Sequence, residues 1–189
     1  PVLSINKWWK VYAKDTIKRL KKFNELRTNT YQICITGDAR NMNIFDNIKN
    51  LSENKNFYKL LKKQKISGIF TSPPYIGLID YHEQHAYAYD LFKINRNDNL
   101  EIGSLSKGQS SIAKQSYIED IAKVLNNSKK YMKDNYNIFI VANDKYDLYP
   151  KIAELSGMKI VNRFKRPVLN RVEKDKSAYS EIIFHLKVV

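Results

Sequence analysis

The 189 residues are 43% hydrophobic and 12% aromatic, which excludes a disordered chain and suffices for one domain with a real core. Lysine and arginine outnumber aspartate and glutamate by 33 to 19, and the resulting net charge of +14 argues for a polyanionic partner, nucleic acid before membrane. One cysteine, Cys34, excludes a disulfide framework and a cysteine zinc cluster, and no apolar run reaches the roughly 18 residues of a membrane span. With no signal peptide visible, the expected compartment is the cytoplasm of a prokaryote. The chain begins at Pro1 and is expected to be a piece of something longer.

In chain order, "NKWWKVYAKDTIKRLKKFNEL" (6–26) places Trp9, Ala13, Ile17 and Leu20 on one helical face, with lysines filling the other. This predicts an N-terminal helical segment over 1–30, followed by a second unit over 31–189. "YQICITGD" (31–38) reads as a buried strand closed by Gly37 and Asp38. The polar stretch 41–65 should hold a helix around Phe57 to Leu61, and "ISGIF" (66–70) reads as the second strand. "DYHEQHAYAYDLF" (80–92) reads as helical, whereas 95–111 has no periodicity and is expected to be a mobile loop. Ser116 with Glu119 resembles a capping box for the next helix, whose apolar face is Ile118, Ile121, Ala122 and Leu125. "YNIFIVAND" (136–144) is a strongly apolar strand, and a short helix near 148–156 ends at Gly157. "MKIVNRF" and "EIIFHLKVV" make a final strand pair joined by a basic connection.

Strands alternating with helices, closed by two strands with none between them, predict an α/β fold. Its sheet should be mostly parallel with an antiparallel edge pair. Ligands of such sheets sit beyond the carboxyl ends of the strands. Asp38, the segment "TSPPY" (71–75) and Asn143–Asp144 each end a predicted strand, so all three are expected on one rim. Prolines lack a backbone N–H and cannot continue a ladder, so Pro73 and Pro74 make "TSPPY" a stiff loop. The alternative is a rigid turn with a core tyrosine. The functional reading is that Ser72 and the Pro73 carbonyl are fixed acceptors and that Tyr75 is a flat stacking face. An exocyclic base amine needs such a set. Its nitrogen lone pair is delocalised into the ring, and two acceptors on its hydrogens stabilise the charge that develops during transfer to it. The base must first leave the duplex.

"TSPPY" resembles the catalytic motif of the DNA amino-methyltransferases, which methylate cytosine N4 or adenine N6 using S-adenosylmethionine. "ITGDAR" (35–40), "IVAND" (140–144) and "YSEIIFHL" (179–186) are similar to the same family in their order around the motif. The resemblance implies a Rossmann-like class I methyltransferase sheet, with Ser72, Pro73, Pro74 and Tyr75 as the catalytic loop. It also implies S-adenosylmethionine near Asp38, Ala39 and Arg40, duplex DNA as partner and a role in restriction–modification. Serine at the first loop position looks more like cytosine-N4 members, although some adenine-N6 members share it. The family's glycine-rich cofactor loop has no counterpart among the 6 glycines here. The strands assigned to 31–38 and 66–70 would flank the missing central strand. The chain is therefore expected to be the carboxyl-side part of a methyltransferase, completed by an upstream segment or a second chain, or else an inactive relic.

Asp80, Tyr81 and His82 follow the loop and, with Asn143 and Asp144, are candidates for the base pocket. Structural roles are equally open to them. His82 and His85 lack the partners of a metal site, and none is expected. Arg163, Lys165, Arg166 and Arg171 near Pro167 fit phosphate contacts, the alternative being a solvated hairpin. Two other functions stay in view. One is a nucleic-acid-binding subunit without catalysis, and the other is a methyltransferase acting on RNA or protein.

Overall fold

The computed structural model describes residues 4–50, 55–167 and 180–189. It divides into two units, Pro1–Cys34 and Ile35–Val189. The first contains α1 (Ile5–Leu26), opened by Ser4, whose hydroxyl accepts from the Lys7 N–H. No residue of α1 is buried, so its stripe of Trp9, Ile17 and Leu20 stands open beside the lysines. A lone amphipathic helix has nothing of its own to bury such a stripe against.

The second unit runs α2 (Ile44–Lys49), α3 (Lys55–Gln64), β1 (Ile66–Thr71), α4 (Tyr81–Gln84), α5 (Ala86–Phe92), α6 (Ser111–Lys129), β2 (Met132–Ala142), α7 (Tyr149–Leu155), β3 (Met158–Pro167) and β4 (Ser180–Val188), with two 3-10 turns between α5 and α6. The sheet order is β1-β2-β4-β3. β1 pairs with β2 in parallel, while β2–β4 and β4–β3 are antiparallel. The sheet is thus mixed, and among the described residues the expected mostly parallel arrangement is not met. The antiparallel pair at one edge is as expected. β2 lies inside with ladder partners on both sides. Its alternate residues Tyr136, Ile138, Ile140 and Ala142 form the core with Phe184 and Leu186 of β4 and with α6 and α7. The apolar face foreseen for α6, Ile118, Ile121, Ala122 and Leu125, is buried throughout. Gly157 takes φ +61° and closes α7 as anticipated.

Three expectations fail for identifiable reasons. Residues 31–38 form no strand. Alternating apolar residues specify a face, but a strand exists only where a ladder partner accepts it, and none is present for this segment among the described residues. The helix α6 starts at Ser111 rather than after Ser116. Ser110 caps it by accepting from the Ala113 N–H at 3.2 Å, which leaves Ser116 inside the helix. The stretch 95–111 is exposed over most of its length but anchored at its middle rather than loose throughout: Ser104 is 1% exposed, and the Leu105 N–H donates to the Ile79 carbonyl at 3.0 Å. The helix α2 was not anticipated; Asn43 caps it by accepting from the Phe45 and Asp46 N–H groups.

The segment leading to α2 is clamped to α6. Arg40 donates to both carboxylate oxygens of Asp38, at 2.8 to 3.1 Å, and reaches Asp120 of α6 at 3.0 Å. Asn127 of α6 donates to the carbonyls of Ala39 and Met42. The hydrogen bonds that Arg40 donates to Asp38 hold the Asp38 carboxyl below its ordinary value and raise Arg40.

Two predictions follow from this packing. In β1, a Cβ on Gly68 would lie 2.7 Å from the Asn137 carbonyl oxygen of β2, a backbone atom that cannot swing aside. Gly68→Ala should therefore cost about 1–3 kcal/mol, the usual cost of overpacking, read as a lowered melting temperature. An unchanged melt would show that β1 and β2 separate freely there. Arg40→Met should cost a similar amount, about 1–3 kcal/mol, because it leaves two carboxylates that are only 21% and 13% exposed with one partner each, the residue-40 N–H for Asp38 and Lys123 for Asp120. The sign follows from a depressed folded pKa. Asp38 stabilises above its unfolded value near about 3.9, and that contribution is lost as pH falls through the lower folded value. The gap between wild type and Arg40→Met, measured by denaturant titration, should be full near pH 7 and close in acid.

Candidate active site

Beyond Thr71 the chain leaves the sheet through Ser72, Pro73 and Pro74, all linked by trans peptides. Pro73 and Pro74 have no N–H to offer, so the loop is held by groups from elsewhere. The Tyr117 hydroxyl of α6 donates to the Pro74 carbonyl at 2.9 Å and is joined to the Tyr149 hydroxyl at 3.2 Å. Because the Tyr117 proton is committed to Pro74, Tyr149 is the donor of that second bond. Burial pushes the Tyr117 hydroxyl up to about 12, so it stays protonated at neutral pH. Tyr149 is in turn stacked on Phe184 at 4.7 Å, which ties the loop to the sheet core.

The residues after the prolines are laced to 103–109. The Gly77 N–H donates to the Gly103 carbonyl at 2.8 Å, and the Gln109 amide donates to the Gly77 carbonyl at 3.1 Å. Glycine is required at 77 and 103. Both have φ near +60°, and a Cβ would meet Gln109 and Gly108 at the first and the Tyr117 ring at the second. The Tyr75 hydroxyl donates to Glu181 Oε1 at 2.5 Å. No described residue donates to the Pro73 carbonyl or engages the Ser72 hydroxyl. The loop is therefore fixed at Pro74, Tyr75 and Gly77, and its two candidate acceptors are left open.

Tyr75, Ile76, Leu78, Gln109, Asn143, Lys145 and Tyr146 enclose a cleft of about 120 Å³. It joins the carboxyl ends of β1 and β2, as expected for an α/β sheet. Of the five base-pocket candidates only Asn143 lines it. Asp144 accepts from the Leu148 and Tyr149 N–H groups at the start of α7, and burial raises its carboxyl. Asp80 caps α4 through the Glu83 N–H, and the Tyr81 N–H is held by Glu101. His82 packs against Tyr89 with ring centres 5.2 Å apart and the rings tilted by 42°, its Nδ1 buried and unpartnered among the described residues. Gln109, Lys145 and Tyr146 are cleft residues that the sequence did not single out. Gln109 hydrogen-bonds the Tyr146 hydroxyl, and Lys114 lies 3.9 Å over the Tyr146 ring. An aromatic two residues past "ND" was the available signal for Tyr146, whereas Gln109 had none.

Asp38, Ala39 and Arg40 do not share this cleft. Their polar groups are turned on one another and on Asp120, Leu100 and Asn127. They do not fit a cofactor cradle in this arrangement, because the Asp38 carboxylate that would meet a ligand accepts from Arg40 instead. The basic residues lie on β3 itself rather than on a connection. Arg163 stands 3.8 Å from Asp147, Lys165 is exposed, and Arg166 donates to Glu181 Oε2 at 2.8 Å. Arg171 lies outside the described residues. Among the described residues no cluster of three or more ligating side chains exists for a metal, and no helix is long and apolar enough to cross a membrane.

No family model matches the chain. The Type II methyltransferase M.MjaII of Methanocaldococcus jannaschii is 50% identical to it over 188 residues, which take in 100% of this chain and 35% of the relative. The chain thus spans about a third of the length of the curated relative it matches. With half its residues identical from end to end, the chain matches a portion of a Type II methyltransferase, in line with the methyltransferase resemblance carried by the proline loop.

Proposed function

We propose that this chain carries the base-binding and catalytic loop of a DNA methyltransferase acting on an exocyclic amine, cytosine N4 in preference to adenine N6. The carrying observation is the loop. Ser72 and the Pro73 carbonyl are open acceptors at the end of β1, while Pro74, Tyr75 and Gly77 are each bonded to a different part of the fold. Such preorganisation lets acceptors meet a developing positive charge without rearranging at the moment of reaction. Tyr75 lines the cleft where an extruded base would stack, and Asn143 supplies an amide for its polar edge. The choice of cytosine rests on serine at position 72, and service in restriction–modification belongs to the same proposal.

S-adenosylmethionine is the methyl donor of this proposal, supplying an electrophilic methyl group when bound. We place its cradle outside this chain's described residues, in an upstream segment or a second chain that bears the glycine-rich loop. The support is the open side of the sheet. β1 stands at an edge, with Phe70 74% exposed and in register with Phe139 of β2 on the same face. A parallel strand is normally paired on both sides and covered on both faces. The relative has nearly three times this length in which to hold such strands. Duplex DNA is the proposed substrate, and the net charge of +14 suits it.

The test is transfer of label from S-adenosylmethionine to duplex DNA, followed by analysis of the labelled nucleoside. N4-methylcytosine is expected, N6-methyladenine would reverse the base preference, and label confined to RNA or protein would overturn the reading. Tyr75→Ala should lower turnover roughly 5- to 150-fold, from a stacking contribution of about 1–3 kcal/mol; unchanged turnover removes Tyr75 from the base pocket. Cofactor binding, followed by calorimetry, should be weak for the 189 residues alone and restored by the proposed segment. Micromolar binding by the isolated chain would refute the divided cradle.

A further inference from the structure

Tyr75 is bonded to a residue 106 positions away, and that bond is the first of a chain. Glu181, the second residue of β4, accepts from the Tyr75 hydroxyl on Oε1 and from Arg166 Nη1 on Oε2. Arg166 and Glu181 are cross-strand partners in the β3–β4 register, so the sheet itself sets their approach. The Glu181 side chain is only 13% exposed, whereas that of Arg166 is 55% exposed. A carboxylate so far removed from water is costly unless both oxygens are engaged. Among the described residues each oxygen has one donor, one of them the hydroxyl of the tyrosine that lines the cleft.

We propose that Glu181 is a positioning residue that fixes the plane of the Tyr75 ring at the cleft, with Arg166 holding Glu181 in place. It rests on the proposed function above for what the ring then does. A tyrosine on a loop keeps two side-chain torsions. At its near end the Tyr75 carbonyl accepts from the Leu78 N–H at 3.2 Å, and at its far end the hydroxyl is tied to Glu181. Two fixed ends leave the ring one orientation, and stacking on an extruded base depends on that orientation more than on the hydroxyl. The same geometry gives Arg166 a structural task in place of the phosphate contact its charge suggested.

The experiment uses the methyltransferase assembly that carries this chain, with Tyr75→Phe, Glu181→Leu, Glu181→Gln, Arg166→Ala and the double variant Tyr75→Phe/Glu181→Leu. Tyr75→Phe and Glu181→Leu should each lower kcat by about 10- to 100-fold, the range for one hydrogen bond to a charged group, with KM for DNA within about twofold. The double variant should be no worse than about threefold below the poorer single variant, because both remove one interaction. Glu181→Gln, which retains an acceptor, should recover most of the loss. Arg166→Ala should lower kcat while leaving the salt dependence of DNA binding unaltered; a phosphate contact would instead reduce the log–log slope by nearly one unit. Losses that multiply in the double variant, or full kcat in Tyr75→Phe, overturn the proposal, and the latter stands even if Glu181→Leu fails to fold. An activity-independent readout is the Cζ resonance of Tyr75 in 13C-labelled protein, assigned by its absence in Tyr75→Phe. It should shift in Glu181→Leu and stay close to wild type in Glu181→Gln. Wild-type protein without methyl transfer to DNA would refute the proposed function, while an unshifted Tyr75 resonance would refute the anchoring by Glu181.

Discussion

Two consecutive prolines at the end of a parallel strand impose the constraint on which the site depends. A segment with no N–H groups cannot be held by a ladder or a turn of its own, so other elements must hold it through its carbonyls and flanking side chains. This structure meets the need from three directions. Tyr117 of α6 holds the Pro74 carbonyl, Glu181 of β4 holds the Tyr75 hydroxyl, and the 103–109 segment holds Gly77. Each anchor is itself pinned. Tyr117 is bonded to Tyr149, which stacks on Phe184, and Glu181 is bonded to Arg166. Rigidity at the loop is therefore inherited from the sheet core, while the Ser72 hydroxyl and the Pro73 carbonyl are left unengaged among the described residues.

The same dependence explains what could be read from the sequence. The strand β2, the buried face of α6 and the end of α7 were legible, since each is written locally as an apolar period or a glycine. The proline loop was legible too, because its chemistry is contiguous. The partners that make it a site were not. Pro74 and Tyr117 are 43 residues apart, Tyr75 and Glu181 are 106 apart, and Gln109 sits in a stretch without periodicity. A lone glutamate early in a strand carries no local mark that a tyrosine will meet it. Asp38 shows the converse error. Its place after an apolar run suggested an open rim position, whereas Arg40, two residues on, and Asp120 of α6 close a salt-bridge cluster around it.

The strand assigned to 31–38 fails for another reason. Secondary structure in a sheet is shared property, because a strand's hydrogen bonds belong equally to its neighbour. The alternation in "YQICITG" is a real signal of a face, but β1 stands at the edge with no strand beyond it among the described residues. Phe70, 74% exposed on a strand that reads as fully buried in sequence, is a second sign. Both observations follow if the sheet continues past β1.

The distribution of charge sharpens what the basic excess means. Arg40, Arg96 and Arg166 each face a carboxylate at hydrogen-bond distance, Arg19 pairs with Asp15 along α1, and Arg163 stands near Asp147. Among the described residues the arginines, whose planar forks suit fixed geometry, are thus largely committed to carboxylates of the chain itself. The uncommitted charge is lysine, seen most plainly on α1, where Lys7, Lys10, Lys14, Lys18, Lys21 and Lys22 stand on a helix with no buried residue. Lysine is a flexible point charge that meets phosphate without reading sequence. A surface built this way supplies general attraction to a polyanion, while discrimination falls to the few fixed groups around the cleft. Under the proposed function, the net charge suits the class of partner, and the proline loop and its anchors bear on what is done to it.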